Sequence, residues 1–153
     1  MVWDPQVCHE VGLVYAHSGK AEEAIAQFDK AIGMLPAGSK KTAPYFGARS
    51  LADRLRGDRE SAAKDASQAS SLDPDAECVR EARAAVHIDK TEYEAATTLL
   101  SALNDNALAR VIEAAAYAGQ GDVTRAASVY AALFHDDPSM TSALTRNALE
   151  PLQ

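Results

Sequence analysis

The stretch Ser18-Gly-Lys-Ala-Glu-Glu-Ala-Ile-Ala-Gln-Phe-Asp-Lys-Ala-Ile-Gly-Met-Leu-Pro36 governs how this chain folds. It aligns without a gap on Arg56-Gly-Asp-Arg-Glu-Ser-Ala-Ala-Lys-Asp-Ala-Ser-Gln-Ala-Ser-Ser-Leu-Asp-Pro74. Both copies place Ala five residues after Gly, a second Ala seven further on, and Pro five after that. A third copy runs through Gly121, Ala126, Tyr130, Leu133 and Pro138, and a weaker one through Ala95, Leu99 and Ala102 without the Gly and the Pro. The first small residue falls at 24, 62, 95 and 126, giving spacings of 38, 33 and 31. A recurring unit of that length is the mark of a helical repeat array.

Composition agrees. Of 153 residues, 47% are apolar and only 6% aromatic, whereas 32 are alanine. Alanine is the best helix former and a poor strand residue, so the chain is expected to be all-α with closely packed helices. Fifteen basic residues against 22 acidic ones leave a charge of −7, which argues against nucleic acid or anionic membrane as a partner. No segment is long and uncharged enough to span a membrane. The opening Met-Val-Trp-Asp-Pro lacks the regions of a signal peptide. Cys8 and Cys78 make neither a disulfide framework nor a metal spacing, so a reduced, cytoplasmic setting is expected.

The pattern resembles the tetratricopeptide repeat, a pair of antiparallel helices, A and B, about 34 residues long. Val11, Gly12 and Tyr15 on a helix A, with Ala24, Phe28 and Ala31 on a helix B closed by Pro36, carry the resemblance best. Ala114, Tyr117, Gly121, Ala126, Tyr130 and Pro138 carry it next. Arg49, Ser50 and Asp53 depart from it, standing where the family has an apolar, a small and an aromatic residue. The register of the second helix A therefore stays open. The resemblance implies one domain over 1–153, a right-handed superhelical array of about four helix pairs. Its repeats fall near 5–38, 43–75, 76–106 and 107–138, and a capping helix spans 138–149.

Capping signals set the helix bounds. Asp4 before Pro5 reads as an N-cap, with Trp3 placed to staple onto Cys8; Asp58 and Asp122 cap after a Gly. Asp73-Pro74 and Asp137-Pro138 repeat the cap-then-proline signal, and Thr91 to Glu94 has capping-box spacing. Helices are expected near 5–18, 20–35, 43–56, 59–72, 74–88, 91–103, 106–119, 122–135 and 138–149.

No phosphate loop, HExxH pair, nucleophile elbow or CxxC is present, and no cofactor is implied. His9 and His17 share a helix face, and the alignment places His87 near Glu81 on the same concave surface. A small-molecule, metal or enzymatic site built from these four is one alternative function. A structural or oligomerising segment of a larger protein is another. Cys8 reads as packing, and Cys78 as a plain thiol on the first turn of a helix.

In the resembled family, ligands lie along the surface lined by the A helices, and one class grips a C-terminal carboxylate with basic side chains. The matching places here hold His9, Leu13, Ala48, Glu77 and Glu81. That basic clamp is absent, and an acidic tail would be repelled. Leu13, Ala16, Leu51 and Leu55 from the first half map to the groove, as do Ala84, Ile88, Val111, Ile112 and Ala115 from the second. His17 joins them, while Arg54, Glu77, Arg80 and Glu81 are expected at the rim. The leading expectation is a noncatalytic scaffold that holds a peptide or amphipathic helix of another protein. A homodimer that buries the groove is a variant of it.

Overall fold

In a computed structural model, residues 3–103 and 106–136 are described. Among them the chain forms eight α-helices: α1 (Pro5–His17), α2 (Ala21–Gly33), α3 (Ala43–Arg56), α4 (Arg59–Leu72), α5 (Glu77–Asp89), α6 (Tyr93–Leu100), α7 (Ala107–Gly119) and α8 (Val123–Asp136). A short 3-10 turn, Lys40–Thr42, closes the long loop before α3. The expected capping helix over 138–149 and the cap at Asp137-Pro138 lie outside the described residues.

Four of the turns are built alike. Gly19, Gly57 and Gly121 take positive φ, and so does Thr91 at 63°. At each, the next backbone N–H donates to a carbonyl five residues back: Lys20 to Tyr15, Asp58 to Asp53, Glu92 to His87 and Asp122 to Tyr117, all at 2.8–2.9 Å. This is the hydrogen-bond closure of a helix end by a left-handed residue. Thr91 therefore takes the glycine's place in the third pair and forms no capping box, and α6 begins without a side-chain cap. Counting five on from Thr91 gives Ala96, not Ala95. Ala96 and Leu100 are buried, whereas Ala95 is half-buried and Ala102 exposed. The expected register of this helix is corrected by one residue.

Asp4, Asp58 and Asp122 cap as expected, accepting from the N–H groups of Val7, Ser61 and Arg125 at 2.8–3.0 Å. Trp3 remains about half exposed rather than buried as a staple. Asp73 does not cap: its carboxylate accepts from Asp75 in a tight turn, and α5 starts only at Glu77.

Each odd-numbered helix packs on the even one after it, and each even helix on the next odd one. Helices α1, α3, α5 and α7 also touch in succession and so share one face. Small residues make these approaches feasible. A Cβ at Gly12 would stand 2.6 Å from the ring of Phe28, which is fully buried, and one at Gly119 would collide with Tyr93. A Cβ at Gly47 would meet the Cys78 carbonyl oxygen at 2.9 Å, so the backbones of α3 and α5 come close there.

The departures in α3 are compensated by polar contacts. Arg49 donates to both Asp65 oxygens at 2.6 and 2.8 Å and to Asp29 at 2.6 Å. The buried Ser50 hydroxyl donates to the Ala62 carbonyl at 2.6 Å, where α3 meets α4. Buried Asp53 pairs with Arg56 at 3.1 Å. Burial, and then the charge of Asp65, push its carboxyl up to about 6. Polar and ionic contacts thus stand where the resemblance implies an apolar, a small and an aromatic residue, and the turn after α3 closes as the other three do.

Candidate groove on the odd-helix face

A concavity of about 490 Å³ opens on the face made by α1, α3, α5 and α7. Helical periodicity aims its lining. From α1 come His9, Leu13, Ala16 and His17, one face at i, i+4, i+7 and i+8. From α3 come Pro44, Ala48 and Leu51; α5 and its N-terminal edge give Ala76, Glu77, Cys78 and Glu81, and the start of α7 gives Asn106, Ala107 and Leu108. The five places that the family resemblance marks, His9, Leu13, Ala48, Glu77 and Glu81, thus come together in one cavity.

The groove has an apolar floor and a carboxyl side. Leu13 and Leu108 are half-buried against the same cluster as Leu51, Ala48 and Phe28. Glu81 is only 4% exposed. Burial first, and the neighbouring Glu77 charge second, push its carboxyl up to about 7, against a side-chain hydrogen bond from Asn106. Glu77 itself is exposed. Burial lowers the values of His9 and His17, so neither imidazole readily takes up a proton. The His9 ring leans on Phe28 and Tyr45, with centroids 5.8 and 5.1 Å apart, and its nitrogens find no hydrogen-bond partner among the described residues.

Of the residues expected in the groove, Leu13, His17, Leu51, Glu77 and Glu81 line it. Leu55 packs half-buried beside the first core cluster. Ala84, Ile88, Val111 and Ile112 are instead buried in the second cluster with Leu100, Leu103 and Leu133. They hold α5, α6, α7 and α8 together and offer no surface to a ligand. Arg54, expected at the rim, is 3% exposed and donates to Asp89 at 3.0–3.2 Å, tying α3 to α5. Arg80 pairs with Asp75 at 3.0 Å. Sequence reasoning missed Pro44, Ala76, Cys78, Asn106, Ala107 and Leu108. Asn106 carried a signal, since it caps α7 by accepting from the Ala109 N–H at 3.0 Å. Leu108 carried none, because α7 is apolar on nearly every side.

The four-residue site of His9, His17, Glu81 and His87 does not assemble. His87 points away from the groove into a cleft between α4 and α5, with Nδ1 2.6 Å from Glu92. Among the described residues no group of three or more His, Cys, Asp or Glu is placed to hold a metal ion. Cys8 is buried. The Cys78 thiol donates to the Pro44 carbonyl at 3.0 Å, and burial, ahead of the charge of Glu81, pushes it up to about 12. Burial thus overrides any help from the helix dipole, and this thiol is not an activated nucleophile. No helix among the described residues is long and apolar enough to cross a membrane.

No family model matches the chain. No curated protein matches it in sequence. Solved structures do match. The nearly identical TPR-like repeats of a Podosopora anserina protein of the kinesin-light-chain type superpose with a TM-score of 0.59 at 14% identity, covering 94% of this chain and 82% of that one. A form of the same repeats carrying one substitution gives a TM-score of 0.58 at 13% identity, covering 96% and 82%. With the four like turns and the serial packing of eight helices, these neighbours show that the fold is a TPR-like helical repeat array.

Proposed function

We propose that this chain is a noncatalytic protein-interaction module that holds a helix or short peptide of a partner in the groove across α1, α3, α5 and α7. One observation carries the reading. Leu13, Leu51 and Leu108 form an apolar floor beside Glu77 and Glu81, inside a cavity of about 490 Å³. The occupant complements both halves: apolar side chains enter over the leucines, and a lysine or arginine approaches the glutamates. A partner carboxylate would meet like charge there, which separates this groove from a basic clamp. Burial disfavours the charged form of His9 and His17, so little positive charge opposes the acidic side.

Selection from a random twelve-residue peptide library on the immobilised chain tests this. Enriched sequences should combine two apolar positions with at least one basic one. Leu13→Asp should weaken the best peptide at least tenfold, and Glu77→Lys should select against basic residues, with the helical circular dichroism of both variants unchanged. No enrichment, or binding indifferent to both variants, rejects the groove. Light scattering on the free chain decides whether a second copy occupies it.

A further inference from the structure

A second cleft, of about 410 Å³, lies between α4 and α5 and shares no residue with the groove. Its α4 wall presents Ser67, Ser70 and Ser71; its α5 wall presents Arg83, His87 and Lys90. The spacings are i, i+3, i+4 on one helix and i, i+4, i+7 on the other, so each set forms one stripe and the two stripes face each other. Ala63, Ala66 and Val86 make the remainder of the wall apolar.

Arg83 is what sets this cleft apart. Arg49, Arg54, Arg56, Arg59, Arg80 and Arg125 each face a carboxylate, and Arg110 is engaged too. Among the described residues, Arg83 alone of the arginines has no ion pair or hydrogen bond, although the chain carries 22 acidic residues. The Lys90 ammonium and the hydroxyls of Ser67 and Ser70 likewise lack a partner within the described chain. Lys90 sits at the C-terminal end of α5, where a cation offsets the helix dipole. Arg83, in the middle of the helix, has no such role. His87, by contrast, is held by Glu92.

We infer that the cleft between α4 and α5 binds a phosphate monoester. Arg83 grips two oxygens with its planar fork, Lys90 adds a point charge, and the Ser67 and Ser70 hydroxyls donate from the opposite wall. The apolar wall at Ala63, Ala66 and Val86 receives the carbon atoms that carry the phosphate, since a cavity of this volume exceeds the ion. The site does not depend on the groove reading.

Amide chemical shifts, followed while O-phosphoserine is added at constant ionic strength, test the assignment. Saturable shifts are expected in 63–71 and 83–90, with none from unmodified serine and a weaker midpoint for inorganic phosphate. Arg83→Ala should weaken binding at least tenfold and Ser70→Ala severalfold, while shifts of Leu13 and Glu77 stay unmoved. If Arg83→Ala lowers the melting temperature, Lys90→Gln and Arg83→Lys serve in its place, each with a severalfold loss. The absence of saturation, or variants that bind as the parent does, overturns the site. Equal affinity for inorganic phosphate overturns the ester assignment.

Discussion

Thr91 shows how much a single residue carries here. A β-branched side chain at φ 63° is strained, because its Cβ crowds the backbone where glycine has none. Thr91→Gly should therefore stabilise the chain by about 1 kcal/mol, read as a raised denaturant midpoint; an unchanged or lowered midpoint would count against the strain. Gly12 makes the opposite case. Gly12→Ala drives a methyl into the edge of the Phe28 ring and should cost about 1–3 kcal/mol, the usual penalty of overpacking. Glu81 gives a pH signature. Its folded carboxyl is raised to about 7 from an ordinary value of 4.5. Its contribution to stability is therefore complete below the unfolded value and is lost as pH rises through about 7. Glu81→Gln should melt close to the parent at pH 5 and above it at pH 8, by roughly 5 °C. His9 and His17, lowered by burial, act in the opposite sense as pH falls, but equally in both proteins. Equal pH dependence of the two melting curves would refute the assignment. The alanines at 24, 31, 62 and 69 were legible in sequence because each faces a neighbouring helix at fixed spacing. Ala96 was not, because the residue that sets its register is a threonine in a glycine's conformation.

Among the helices and turns, the bounds were largely readable, since Asp4, Asp58 and Asp122 satisfy free N–H groups at three helix starts. The start of α5 was not, because Asp73 spends its carboxylate on the Asp75 turn. The role of Arg54 was hidden for another reason: its partner Asp89 is 35 residues away and belongs to the next helix pair. Arg59 reaches the same carboxylate at 3.5 Å, so α3 and α4 both hold the end of α5. Arg54→Ala leaves that carboxylate short of its buried partner, and a loss of about 3 kcal/mol in urea unfolding is expected. A loss under about 0.5 kcal/mol, the size of a surface pair, would mean that Arg59 alone suffices.

Across the full array, stacking decides which apolar surface is core and which is groove. Val111 and Ile112 are closed off among α5, α6, α7 and α8, whereas Leu13 and Leu108 stand half open on the odd-helix face. Val111→Asp should thus abolish cooperative unfolding, and Leu13→Asp should leave it intact while weakening the peptide binding proposed for the groove. Circular dichroism melts of the two variants check this directly; a folded Val111→Asp protein would put that residue back on the surface. The helices, the small-residue contacts and the repeat could all be read from the residues alone, because they depend on spacings within some 40 positions. The repeat alignment also marked Leu13, Leu51, Glu77 and Glu81 as neighbours. Which sides of α5 and α7 face inward, and where Arg54 and His87 point, emerged only once the helix pairs were stacked. The same stacking brought the serines of α4 opposite an unpaired arginine on α5. Those outcomes depend on how successive pairs rotate against each other, and a helix as uniformly apolar as α7 leaves that rotation unwritten in its pattern.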